Sequence, residues 1–105
     1  RWLVNRLVEA GHRSFGIVSG PADSVVSAER TQGALERLGE LGIRQVAVVA
    51  GNYSYESGAE GLRLLESKLG RLPEAVICAN DVMALGCMDA ARHDLRLEVP
   101  GDLSV

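Results

Sequence analysis

Apolar residues recur along the chain in two rhythms. Three short runs, 14–19, 45–50 and 75–79, are nearly continuous in Phe, Ile, Val and Ala and are bounded by turn residues. Such runs, too short for helices and rich in β-branched residues, predict strands buried on both faces of a parallel sheet. Between them the apolar residues come at every third or fourth position, which is the helical period. Segment 24–41 carries Leu35, Leu38 and Leu41, and segment 56–69 carries Ala59, Leu62, Leu65 and Leu69. Segment 81–94 carries Val82, Leu85, Met88 and Ala91, and Leu3, Val4, Leu7 and Val8 share one face of a helix at the start. A fourth apolar run is expected from Asp102. Strand starts at 14, 45, 75 and 102 repeat at about the length of a βαβ unit. The fold class is therefore α/β, a three-layer, doubly wound parallel sheet.

Punctuation supports this order. Gly11 and Gly42 fall where helices end, a place that favours glycine because the left-handed cap conformation costs it little. Pro21 and Pro73 sit in connections, Pro100-Gly101 is expected to turn the chain before the last run, and Asp81 is expected to cap the last helix.

Length and charge narrow the function. At 105 residues the chain can build one compact domain but not two with a linker. No apolar run approaches a membrane span, and no cationic segment followed by an apolar one opens the chain. The net charge is −3 and the 11 Lys and Arg are scattered, whereas a nucleic-acid footprint needs them clustered. Arg1 opens inside a helical pattern and Val105 falls inside an apolar run, so the chain reads as a piece of a longer protein.

Catalytic motifs are not found. Ser19-Gly20-Pro21-Ala22-Asp23-Ser24 lacks the lysine and the glycines of a phosphate loop, only Gly20 of a dinucleotide fingerprint follows the first strand, and no Gly-x-Ser-x-Gly occurs. Cys78 and Cys87 have neither disulfide-exchange nor metal-ligand spacing and read as buried free thiols of a reduced compartment. His12 follows a helix-ending glycine and His93 lies near a helix C-terminus, where its charge is favourable. No catalytic residue, metal ligand or cofactor is expected.

A binding site fits better. Ligands of open α/β sheets sit beyond the carboxyl ends of the strands, which here carry Ser19-Gly20-Pro21, Gly51-Asn52-Tyr53-Ser54-Tyr55 and Asn80-Asp81. Two of the four aromatic residues fall in one of these loops. Tyr53 can stack on a sugar ring or a base, or pack on its own domain. Asn80 can donate to and accept from ligand hydroxyls, or serve with Asp81 as an ordinary helix cap. Arg30 offers a planar fork for hydroxyls or a carboxylate, or is a solvated helical arginine. From Val82 to Ala91 only Asp89 is charged, so this helix is apolar nearly all round and is expected to pack on the sheet with one face and on another subunit or lobe with the other.

Taken in order, several motifs resemble the bacterial lactose-repressor-like (LacI/GalR) transcription regulators. They are Leu7-Val8-Glu9-Ala10-Gly11-His12-Arg13, the strand into Ser19-Gly20-Pro21, Glu29-Arg30-Thr31-Gln32-Gly33, Gly51-Asn52-Tyr53 with Glu56-Ser57-Gly58, and Ala79-Asn80-Asp81-Val82-Met83-Ala84-Leu85-Gly86. Val99-Pro100-Gly101-Asp102-Leu103-Ser104-Val105 completes the series. The resemblance spans essentially residues 1–105 and implies a partial effector-binding domain, mostly the C-terminal lobe of a type I periplasmic-binding-protein-like module. It implies that Arg30, Tyr53 and Asn80 bind a small effector, a sugar or nucleoside-like molecule, and that Leu85 and Met88 lie at a homodimer interface. Operator DNA would be contacted only through a helix-turn-helix outside this chain, in the cytoplasm and without a membrane or cofactor. The family's aspartate after the fourth strand would fall beyond Val105. Effector binding between two lobes would bias their arrangement and so change operator affinity. The rivals are a periplasmic sugar-binding protein of a transporter, with the same fold but monomeric and exported, and a small α/β enzyme.

Overall fold

A computed structural model describes residues 2–92 and 97–101. The elements run α1 (Trp2–Glu9), β1 (Ser14–Ser19), α2 (Val25–Glu40), β2 (Gln45–Ala50), α3 (Tyr55–Leu69), β3 (Ala75–Cys78) and α4 (Asp81–Ala90). The strands form one parallel sheet in the order β2-β1-β3, with Ser14 beside Gln45 and Phe15 beside Ala75. Sequential strands on either side of β1 require crossovers on opposite faces, and the two core clusters show this. Phe15, Ile17, Ala75 and Ile77 pack with Val4 and Leu7 of α1 and Ala34 and Leu38 of α2. Val18, Val49, Val76 and Cys78 pack with Leu62 and Leu65 of α3 and Met83 and Cys87 of α4. The expected three layers are therefore present.

The fourth run differs from its expectation. Pairing with β3 starts earlier than Asp102: Ala75 bridges Glu98 and Cys78 bridges Gly101, both in parallel. Pro100, read as part of a turn, lies in this extended track, and its carbonyl accepts from the Cys78 N–H at 3.2 Å. Proline lacks only the donor, so it serves as an acceptor at a sheet margin. Asp102 itself, like His93 and Asp94, lies outside the described residues.

Helix ends also depart in detail. Asn80, not Asp81, caps α4, its Oδ1 accepting from the Met83 N–H at 2.8 Å. Helix α4 ends at Ala90, where the Ala91 N–H turns to the carbonyls of both Cys87 and Met88. Gly11 and Gly42 take the expected positive φ, and Gly70 closes α3 in the same way.

Two features bear on packing. Helices α3 and α4 approach backbone to backbone: a Cβ on Gly58 would lie 2.0 Å from the Met83 carbonyl oxygen, and one on Gly86 2.1 Å from that of Tyr55. At the other margin of the sheet, β2 has a neighbour on one side only among the described residues. There the Lys68 ammonium donates to the Val48 carbonyl at 2.8 Å, and the Arg71 guanidinium donates to the Gln45 side chain.

Candidate functional site

The carboxyl ends of β1, β2 and β3 lead into the N-termini of α2, α3 and α4, each closed by a capping side chain. Ser24 Oγ accepts from the Ser27 N–H at 3.2 Å, Ser54 Oγ from the Ser57 N–H at 3.1 Å, and Asn80 Oδ1 from that of Met83. Each cap satisfies a donor the helix would otherwise leave open. The positive ends of three helix dipoles thus share one rim.

Tyr53 is the centre of this rim. It has a φ of +72°, the one non-glycine residue with positive φ among those described. The hydroxyl end of its ring lies against Gly20, where a Cβ would come within 2.5–2.8 Å of the phenol. The hydroxyl lies 3.5 Å from Ser24 Oγ, and the backbone carbonyl accepts from Asn80 Nδ2 at 3.2 Å. Asn52 and Ser57 brace the loop, with the Ser54 N–H donating to Asn52 Oδ1 at 3.0 Å and the Asn52 N–H to Ser57 Oγ at 3.1 Å. The tyrosine therefore does pack on its own domain, yet it keeps 40% of its surface exposed. A partly exposed aromatic held at the rim has the character of a surface on which a flat ligand could stack.

Tyr53 and Asn80 are thus brought into direct contact. Arg30 is exposed on α2, on the flank it shares with Val26 and Arg37 by helical period. Arg37 marks the direction of that flank, because its Nε donates to Asn5 of α1 at 2.8 Å. The neighbouring cleft of about 190 Å³ against α2 is lined instead by Ser19, Gly20, Ala28, Thr31 and Gln32. Arg30 is not among the residues that line it.

Two residues organise the loop: Ser27, which the pattern did not single out, and Gly20, which it placed only at the end of the first strand. Ser27 Oγ accepts from the buried Gly20 N–H at 2.6 Å, and Gly20 is required by the adjacent phenol. A serine one turn into a helix after Gly-Pro is a detectable signal for the first; nothing local announces the second.

On the other side, α4 shows the two faces expected of it. Met83, Ala84 and Cys87 are buried, while Val82, Leu85 and Met88 remain 50%, 53% and 51% exposed. The outward apolar stripe is therefore Val82, Leu85 and Met88, bordered by a groove between α3 and α4 lined by Tyr55, Ala59, Arg63, Gly86 and Asp89. The Tyr55 hydroxyl donates to Asp89, and this bond, with a smaller effect of burial, holds the phenol above its ordinary pKa.

Cys78 and Cys87 are free and buried, as their spacing suggested. The neighbouring Cys87 thiol and the loss of water both push the Cys78 thiol up, which suits packing and not nucleophilic attack. Among the described residues no cluster of three His, Cys, Asp or Glu is placed to hold a metal, and no helix is long and apolar enough to cross a membrane.

The chain belongs to the periplasmic binding protein-like domain family, whose model matches residues 4–105. Its fold matches that of LacI-family regulators among the solved structures. It is 37% identical over 101 residues to the transcriptional repressor PurR of Proteus mirabilis, covering 94% of this chain and 29% of the relative. It is 36% identical over 104 residues to the repressor CytR of Escherichia coli K12, covering 97% and 30%. A sugar-binding transcriptional regulator of the LacI family from Escherichia coli, solved with phosphate, superposes with a TM-score of 0.82 at 31% identity, over 94% of this chain and 38% of that one. The lac repressor bound to ONPG gives 0.78 at 32% identity, over 88% and 28%. The chain therefore spans about a third of the length of the curated relatives it matches.

Proposed function

We propose that this chain is one lobe of the effector-binding domain of a LacI/GalR-type transcription regulator, and that it contributes half of a ligand cleft and part of a dimer contact. The observation that carries the reading is Tyr53, its phenol end against Gly20 and 40% of its surface exposed at the carboxyl rim. In this reading Tyr53 stacks on the ring of a sugar or nucleoside-like effector, Asn80 belongs to the same rim, and Arg30 bonds hydroxyl or acidic groups from α2. The stripe of Val82, Leu85 and Met88 supports a homodimer, with Leu85 and Met88 in the contact. Operator binding, in the cytoplasm, belongs to a DNA-reading segment outside this chain; catalysis is not part of the function.

The test is a thermal-shift screen of the intact protein against monosaccharides, cellobiose, nucleosides and purine bases, followed by calorimetry on the strongest hit. Tyr53→Ala and Arg30→Ala should each weaken that hit about tenfold, the loss of a stacking contact or a charged hydrogen bond. Unchanged affinity in both variants would sink the assignment. A protein that is monomeric and binds its sugar without any effect on DNA affinity would favour a transport protein instead.

A further inference from the structure

The identity of residue 80 is more demanding than a helix cap requires. Aspartate, serine or threonine caps a helix as asparagine does, because capping needs only an acceptor oxygen. Asn80 does two things at once: its Oδ1 accepts from the Met83 N–H at 2.8 Å, and its Nδ2 donates to the Tyr53 carbonyl at 3.2 Å. Aspartate has no donor, and serine and threonine carry donor and acceptor on one short hydroxyl oxygen; asparagine alone sets a separate donor nitrogen beside the acceptor oxygen, so that it can reach two partners on different elements.

The residue that receives this bond is one that needs holding. A tyrosine at a φ of +72° is uphill relative to the β or right-handed region, since its Cβ crowds the backbone. Such a conformation persists only where the surroundings enforce it. The ring's seat on Gly20 is a direct outcome of that backbone, because the φ of Tyr53 decides where its Cβ points.

We infer that Asn80 is a positioning residue of the binding site: it holds the Tyr53 backbone in the left-handed region and so sets the pose of the ring that faces the ligand. The inference deepens the proposed function and rests on Tyr53 being the stacking residue. In this arrangement Asn80 acts on the ligand through Tyr53. One of its two Nδ2 hydrogens is engaged by the carbonyl and one Oδ1 lone pair by the cap.

Two variants separate the roles. Asn80→Asp keeps the cap acceptor and removes the donor to Tyr53; Asn80→Ala removes both. Adenosine and cellobiose serve as the nucleoside and sugar probes in calorimetry on the intact protein, and the proton shift of the Gly20 Hα atoms reports the ring lying against them. Asn80→Asp should retain the thermal midpoint, lose the ring-induced shift at Gly20, and weaken whichever probe binds by about five- to tenfold, the range of one net hydrogen bond. In a Tyr53→Ala background the same change should cost less than about twofold, since coupled residues are non-additive. Equal losses in both backgrounds would mean that Asn80 touches the ligand itself and would overturn the inference. So would a wild-type Gly20 shift in Asn80→Asp, a result that decides the matter even if neither probe binds. If Tyr53→Ala binds as the wild type does, the stacking assignment fails, and the Gly20 shift still judges the positioning role separately.

Discussion

Gly86→Ala should destabilise the protein, although alanine is the better helix former. In the middle of a helix the exchange normally gains about 1 kcal/mol, because glycine loses more backbone freedom on folding. At position 86 the new Cβ would stand 2.1 Å from the carbonyl oxygen of Tyr55, and the next contacts are also backbone atoms, the Tyr55 carbonyl carbon at 3.0 Å and the Ala59 nitrogen at 3.2 Å. No side chain can swing away, so α3 and α4 must part by about 1 Å to restore ordinary contact. Parting them loosens the contacts of Leu62, Met83 and Cys87, which are 3%, 0% and 0% exposed. Re-exposing roughly 100 Å² of apolar surface costs about 2.5 kcal/mol, and forced overpacking adds about 1–3 kcal/mol. After the propensity gain, a net loss of about 3 kcal/mol is expected, which is a drop of roughly 10–20 °C in midpoint for a domain of this size. Gly33→Ala is the matched control, because nothing lies within 4 Å of its would-be Cβ in α2; it should gain up to about 1 kcal/mol. Urea unfolding followed by circular dichroism measures both. If Gly86→Ala proved as stable as Gly33→Ala, the close approach of α3 and α4 would be refuted.

Three further outcomes are expected. Thr31 is buried and its Oγ1 has no hydrogen-bond partner among the described residues, so Thr31→Val, of equal shape, should raise stability by about 1 kcal/mol in the same unfolding assay. The Glu74 carboxylate accepts from the Arg13 N–H at 2.5 Å and from that of Ser14, which lowers its pKa, the Arg13 bond most. A lowered folded pKa means stability that is present above the unfolded pKa and lost as pH falls through the folded one; acid titration of Glu74→Gln should show this component missing, with wild type and variant converging at low pH. Leu85→Glu should weaken self-association at least about tenfold in sedimentation, because an unpaired carboxylate in an apolar contact is costly to desolvate; an unchanged oligomer would remove α4 from the interface.

The layers were legible because β1 and β3 are buried on both faces, whereas β2, expected to be the same, is an edge strand among the described residues, with only Ala47 and Val49 buried. Runs such as Phe15 to Val18 admit no polar residue, so β1 and β2 begin and end where the pattern does. Helix positions facing the sheet were legible where leucine marks them, as at Leu38, Leu62 and Leu65. What escaped is what glycine and hydrogen bonds decide. The role of Gly58 and Gly86 was not visible, since close backbone approach has no signature in a single helix. Asn80 and Asp81 are equally good caps by residue type, and only the geometry of the Met83 N–H chooses between them. Pro100 read as a turn because its missing donor is informative only once the neighbouring strand is known. At the candidate site the rim residues were found from the ends of the strands, but the left-handed Tyr53 and its bond from Asn80 depend on contacts across 27 residues of chain.

The lysine at the margin of β2 also bears on how the molecule keeps to itself. An open strand edge is a template for any other extended chain, since its outward carbonyls and amides seek partners. With its ammonium on the Val48 carbonyl, Lys68 occupies one of those acceptors with a charge that an incoming strand would have to displace and leave desolvated. Gln45 is engaged by Arg71 at the start of the same strand. Among the described residues, this edge of the sheet ends on a charge and not on a further strand. Substitution of Lys68 by methionine would remove that charge and leave the Val48 carbonyl available to an incoming strand.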